Sequence, residues 1–198
     1  VRDNNKTPMC WSDIIIKHGE LIPQLPKDVI YLTWGYDGPV EENRIKPVSD
    51  SGLKYYVCPG VSGWNRLMND IDSSYINIST TAQYGYSHGA LGVLNTDWGD
   101  FGHVNSLFSS IPGLIIGASY SWNVNNTPEL SDISKLEYGV CSVVGLLAEL
   151  SKAECFNWSD LVSFREQQDG YDNEIMKPWV TKEFADARTY EILAEAYS

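Results

Sequence analysis

Apolar positions along the chain gather into four short runs, each followed by a longer stretch of mixed character. The runs are "PMCWS" at 8–12, "VIYLTWG" at 29–35, "YYVCPG" at 55–60 and "ALGVLNTDWG" at 90–99. The middle two are rich in β-branched and aromatic residues and do not alternate, which is the pattern of strands buried on both faces. The intervening segments carry helical spacing. "DIIIKHGELIPQL" follows the first run and is closed by Pro23 and Pro26. "VEENRIKPVSDSG" after the second supports only a short helix. "NRLMNDIDSSYINISTTAQYG" follows the third, and "HVNSLFSSI" the fourth. Strand–helix alternation of this kind predicts βαβ units and a parallel sheet.

After about residue 120 the pattern changes. "SYSWNVNNTPELSD" reads as a polar loop, and Thr127-Pro128-Glu129 as a helix start. From there Ile133, Leu136, Val140, Val143, Val144, Leu147 and Leu150 follow helical spacing along one broad apolar face. "NWSDLVSFREQQ" and "KEFADARTYEILAEAY" predict two further helices, with Trp158 and Trp179 as core residues. The expected organisation is four βα units over residues 1–123 and a helical extension over 124–198 packed on them.

One regularity bears on function. The ends of the four strands carry Trp11, Trp34, Trp64 and Trp98, separated by 23, 30 and 34 residues, about one βα unit each. In a (β/α) barrel the carboxyl rim of the strands is where substrates bind. Core packing has no reason to prefer one end of every strand, so a shared pocket is the expectation. Polar groups accompany the tryptophans. "TWGYD" adds Tyr36 and Asp37 to Trp34, and "TDWGD" places Asp97 and Asp100 around Trp98. A carboxylate accepts bidentate hydrogen bonds from adjacent sugar hydroxyls, and an indole covers the apolar face of the ring. Taken singly, each aspartate is equally a turn cap or an ion-pair partner.

Composition narrows the partners. Lys and Arg number 14 against 26 Asp and Glu, a net charge of −12, which opposes phosphate backbones and anionic lipid surfaces; nucleic acid and membrane are not expected partners. No apolar run approaches the length of a membrane span, and no signal peptide is visible. Cys10, Cys58, Cys141 and Cys155 form no CxxC pair and read as buried free thiols. His18, His88 and His103 show no metal-ligand spacing, so neither metal nor cofactor is expected. Sequons at Asn5, Asn77, Asn125 and Asn157 are short enough to arise by chance.

The segments "MCWSDIIIKHGELIPQLPKDVIYLTWGYD", "VCPGVSGWNRL", "GALGVLNTDWGDFGH" and "PGLIIGASYSWN", in that order over about residues 7 to 123, resemble the second half of a family 20 glycoside hydrolase, a β-N-acetylhexosaminidase catalytic domain. The resemblance implies strands five to eight of a (β/α)8 TIM barrel, followed here by the helical extension. It implies exo-acting hydrolysis of terminal N-acetylglucosamine or N-acetylgalactosamine, in which the sugar's own acetamido oxygen attacks C1. It implies that Trp98 and Asp100 hold the ring and its outer hydroxyls, and that Trp11, Trp34 and Trp64 wall the pocket. Tyr36 corresponds to the tyrosine that bonds the acetamido group, with Asp37 and Asp97 as further hydroxyl contacts.

The family's adjacent Asp-Glu pair at the end of strand four, the source of its general acid, has no counterpart, because no Asp-Glu dipeptide occurs in the chain. The expectation is therefore a sugar-pocket half with no catalytic residue of its own, completed by an N-terminal barrel half or by self-association. The alternatives are a non-catalytic carbohydrate-binding half barrel, or a glycosidase of another family with Asp97 or Asp100 as acid. Four strands do not close a barrel.

Overall fold

A computed structural model describes residues 1–36, 38–153 and 156–166. Strands β1 (Met9–Trp11), β2 (Ile30–Trp34) and β3 (Lys54–Cys58) lie in that order in one parallel sheet. Met9 pairs with Ile30, and Ile30 in turn with Lys54. The fold is α/β with a small parallel sheet, and three strands fall where the apolar runs place them. In β2, Tyr31, Leu32 and Thr33 are consecutively buried, as a strand covered on both faces requires. The first run departs from expectation: all three residues of β1 are exposed. Among the described residues β1 pairs only with β2, so it is an edge, and Cys10 is an exposed thiol there.

The fourth run does not form a continuous strand. Residues 91–96 travel parallel to β3 but make only isolated bridges, Val57 with Val93 and Gly60 with Thr96. The hydrogen bonds explain the break. Val57 and Val61 each donate across, to Gly92 and Thr96, at 3.1 and 3.0 Å. Position 59 stands midway between these donors, and proline there has no N–H to give. The pairing stops at Thr96, so Asp97 and Trp98 lie just past its end.

Helices α1 (Asp13–Lys17), α2 (Lys46–Asp50), α3 (Ile71–Ser87), α4 (Ile111–Trp122), α5 (Leu130–Tyr138), α6 (Val143–Ser151) and α7 (Trp158–Glu166) complete the described chain. The predicted helix over 13–25 is α1 followed by a 3-10 turn, Gly19–Gln24, that contains Pro23. The helix expected at 103–111 is only a short 3-10 turn, Leu107–Ser110. The full helix, α4, begins at Ile111 and takes in "SYSW", which the polar pattern assigned to a loop. The apolar stripe from Ile133 to Leu150 is two helices. Gly139 closes α5 in the left-handed region (φ 77°), where glycine alone carries no Cβ penalty. Leu136, although on the predicted stripe, is 76% exposed, while Ile133 and Val144 are buried. Buried Ser134 joins the halves, donating to Val140 O and accepting from Val144 N.

The described chain divides into two compact units. The first comprises Val1–Val61, Ser73–Thr96 and Gly113–Thr127, and holds the sheet. Its core packs Tyr31, Ile45, Val48, Tyr55 and Val57 with Ile22, Val29, Val40 and Leu53. The second comprises Ser62–Asp72, Asp97–Pro112 and the described residues from Pro128 onward. The helical segment beyond 127 is thus grouped with two loops from earlier in the sequence. Trp158 is half-buried at the start of α7; Trp179, Cys155 and the last predicted helix lie outside the described residues.

Candidate functional site

In the first unit, Trp11 closes β1 and Trp34 closes β2, so both sit at carboxyl ends of parallel strands. Trp11 is 38% exposed. Trp34 stacks on Tyr36 with centroids 4.9 Å apart and planes 17° from parallel. The Arg44 guanidinium carbon lies 5.9 Å from the Trp34 centroid, within cation–π range. Gly35, Tyr36, Pro39, Val40, Glu41 and Arg44 line a cavity of about 170 Å³ beside this stack. Asp37 lies outside the described residues.

A fully buried asparagine holds this strand end in place. Asn77, from the middle of α3, donates to Gly35 O at 2.8 Å and to Gly38 O at 3.2 Å, and accepts from Gly60 N at 3.1 Å. One side chain thus satisfies backbone groups at the carboxyl ends of both β2 and β3, which the turning chain takes out of the ladder. Burial also removes the Asn77 sequon from the surface of the fold.

The second unit carries Trp64, Asp97, Trp98 and Asp100. Two loops bring them into one unit. In the 62–70 loop, Ser62 and Asn65 are left-handed (φ 52° and 58°), flanking Gly63 and Trp64. Asn65 then binds the start of α7: its carbonyl O accepts from Trp158 N at 2.9 Å and its Oδ1 from Ser159 N at 2.7 Å. In the second loop, the chain after Trp98 turns back tightly. Gly99 O accepts from both Gly102 N (2.9 Å) and His103 N (3.2 Å). Phe101, Gly102 and His103 all have positive φ, at 58°, 102° and 47°. His103 Nε2 ends 3.4 Å from Asp97 Oδ1, with both side chains roughly three-quarters covered. Asp100 is exposed and Trp98 half-buried.

A buried polar network ties the two loops together. Asn105 Nδ2 donates to Asn69 Oδ1 at 2.7 Å, Asn69 Nδ2 to Ser110 Oγ at 3.1 Å, and the Ser109 hydroxyl also bonds Asn69 Oδ1. A Cβ at position 63 would stand 2.6 Å from Asn69 Nδ2 and 2.8 Å from Asn105 Nδ2, so only glycine fits against the network. The loop bearing Trp64 is in this way anchored to the segment that follows the Asp97–His103 turn.

No family model matches this chain, and no curated protein sequence matches it.

The structure therefore groups the expected residues by unit: Trp34 with Tyr36 in the first, and Trp64 with Asp97, Trp98 and Asp100 in the second. Sequence reasoning missed Arg44, Asn69, Asn77, Asn105 and His103. His103 was within reach, since it closes the glycine-punctuated "WGDFGH". The asparagines carry no local signal, because their role is set by which backbone groups they meet in space. Among the described residues no three His, Cys, Asp or Glu side chains gather as a metal site, and no helix is long and apolar enough to cross a membrane.

Proposed function

We propose that this chain is the sugar-holding half of a β-N-acetylhexosaminidase-type (β/α)8 barrel. It binds a terminal N-acetylhexosamine, and the proton donor for hydrolysis comes from a second, complementary half. The observation that carries the reading is the Asp97–His103 turn. It presents a half-buried indole and an exposed carboxylate two residues apart, immediately beyond the last parallel pairing at Thr96. An indole and a carboxylate so spaced match a pyranose, whose C–H face packs on the ring while adjacent hydroxyls reach the acid. Within the first unit, the tryptophans closing β1 and β2 stand at the strand end where parallel α/β folds collect substrate groups.

Exposure in the first unit supports a missing half. Every residue of β1 is exposed along a sheet edge. On the opposite flank, Leu91 and Leu94 are exposed beside β3. Open apolar edges of a parallel sheet are sites for further strands. The complementary half, or a second copy of the chain, is the partner this edge calls for.

Calorimetric titration with N-acetylglucosamine tests the binding part. The wild-type chain gives a binding heat that Trp98→Ala abolishes and Asp100→Asn weakens about tenfold, a loss of about 1.4 kcal/mol. An aryl N-acetylglucosaminide is left intact by the purified chain, because no general acid is supplied. Turnover that disappears in Asp100→Asn with sugar binding unchanged would assign the acid to Asp100 and overturn the proposal.

A further inference from the structure

The Asp97–His103 turn contains a residue that the sugar-binding reading leaves without a task. His103 is not spaced to bind metal with its fellow histidines. Yet it stands in the left-handed region, which few non-glycine residues adopt although histidine does so more readily than most, and nearby Phe101 is left-handed too. Such conformations persist only where surrounding contacts over-determine them. Three contacts do so here, and all involve His103 or its immediate surroundings. Its backbone N–H bonds Gly99 O. Its ring lies so close to Gly99 that an added Cβ would come within 3.0 Å of His103 Cβ and 3.1 Å of Cδ2. Its Nε2 reaches Asp97 Oδ1.

These contacts close the peptide from 97 to 103 into a ring. Trp98 and Asp100 lie on the closed arc, one residue past Asp97 and three before His103. The pinned arc fixes the backbone on which both side chains stand. The imidazole stands 3.4 Å from one carboxylate oxygen of Asp97, so that carboxylate is placed before any ligand arrives. Preorganising a binding group in this way raises affinity without adding a contact to the ligand.

We propose that His103 is a positioning residue for the sugar-binding turn, acting through Asp97 to orient Trp98 and Asp100; this rests on the function proposed above. A purely structural role predicts instead that changes at 103 follow the backbone alone. Glycine and asparagine both tolerate positive φ better than histidine, and neither reaches Asp97. Glutamine is less suited to the backbone, but its amide N–H reaches about as far as Nε2.

The test is calorimetric titration with N-acetylglucosamine, alongside thermal melting, of His103→Gly, His103→Asn, His103→Gln, Asp97→Asn and the His103→Asn/Asp97→Asn pair. The glycine and asparagine variants melt at or above the wild-type temperature yet bind about tenfold more weakly; glutamine binds within about threefold of wild type. Adding His103→Asn to Asp97→Asn costs less than about twofold further, because the contact is already lost. Wild-type affinity in both His103→Gly and His103→Asn overturns the positioning role while leaving sugar binding in place. So do losses that simply add in the paired variant. Loss of the fold in both variants makes His103 a folding determinant and overturns it as well. A wild-type chain that gives no heat overturns the sugar reading, and this proposal falls with it.

Discussion

The sheet of the first unit and the two loops of the second are held by different forces. Around β2 and β3 most buried residues are apolar, with Ser12, Thr33 and Asn77 among the polar exceptions, and Val57, Ile45 and Val48 are almost fully covered. In the loops at 62–70 and 97–110 the buried residues other than Gly63 are Ser62, Asn69, Asn105 and Ser110. Four non-glycine residues there, Ser62, Asn65, Phe101 and His103, adopt positive φ. The sheet is stabilised by burial, which is non-directional and tolerates modest change of shape. The loops depend on directional bonds to hold unfavourable backbone states. A binding turn needs the second kind of construction, because direction is what a ligand reads.

Removing a polar anchor from the apolar region tests this contrast most severely. Asn77→Ala strands the buried Gly35 O and Gly60 N and the half-buried Gly38 O. The expected loss is about 3 kcal/mol by urea unfolding, with leaving-unmade costs of about 1–3 kcal/mol per buried group partly offset by relaxation. A loss under about 1 kcal/mol contradicts the view that one side chain holds both strand ends.

Overpacking the sheet comes next. A Cβ on Gly85 would stand 2.6 Å from Cγ2 of Val57, a fully buried residue of β3, so Gly85→Ala is expected to cost about 2 kcal/mol. Sugar affinity is expected to stay near that of wild type in the fraction that remains folded.

In the loops the balance reverses. Asn105→Ala removes a bond to Asn69, but Asn105 Oδ1 is itself buried without a donor among the described residues. The two effects oppose each other, and the expected cost is only about 1 kcal/mol. The same substitution loosens the Trp64 loop, which keeps the Ser109 and Ser110 bonds to Asn69 from the segment after His103, so titration calorimetry should show a larger loss of sugar affinity than Gly85→Ala causes. Equal affinity in the two variants would break the comparison.

Alkali separates the cysteines. Burial against β3's neighbours pushes the Cys58 thiol up to about 12, while the unfolded thiol ionises near 8.5. The sign follows from linkage: the stabilisation is complete below the unfolded value and is lost as pH rises from there through about 12. Buried Tyr55, raised mainly by desolvation, adds in the same direction. By pH 10 the stability lost through Cys58 amounts to about 2 kcal/mol, and Cys58→Ala should flatten that part of the stability profile. In native protein a thiol reagent should modify Cys10 and Cys141 well before Cys58, since the first two are exposed.

The smallest effect is on the surface. Lys152 bridges Glu149 at 2.7 Å and Asp72 at 2.9 Å, but its side chain is half exposed. Screening leaves Lys152→Met a cost of a few tenths of a kcal/mol, measurable only by careful denaturant titration.

Legibility in the sequence follows the same division. β2 and β3 were readable because burial on both faces imposes an apolar run, and runs are local. β1 was read as buried because its composition is apolar; exposure at a sheet edge depends on which strands are beside it, not on its own residues. The fourth run was read as a strand of ten residues. Pro59, just past the end of β3, removes a donor needed to pair it, and no pattern within 90–99 records that. In the helical segment Gly139 was the visible stop signal, outweighed by a stripe that continued across it.

At the candidate site, the four tryptophans and the "TDWGD" acids are visible as residue types at a regular spacing, but only Trp11 and Trp34 close strands; Trp64 lies in a loop past β3 and Trp98 follows a run that makes only isolated bridges. From sequence alone follow the parallel α/β class, the acidic surface and the absence of any Asp-Glu pair, because each is a property of order or composition. Tertiary structure alone decided that Trp34 stacks on Tyr36, that Asn77 joins two strand ends, and that His103 folds back onto Asp97. Those outcomes depend on direction and distance between residues far apart in the chain or turned against each other by backbone states, which hydrophobic pattern does not encode.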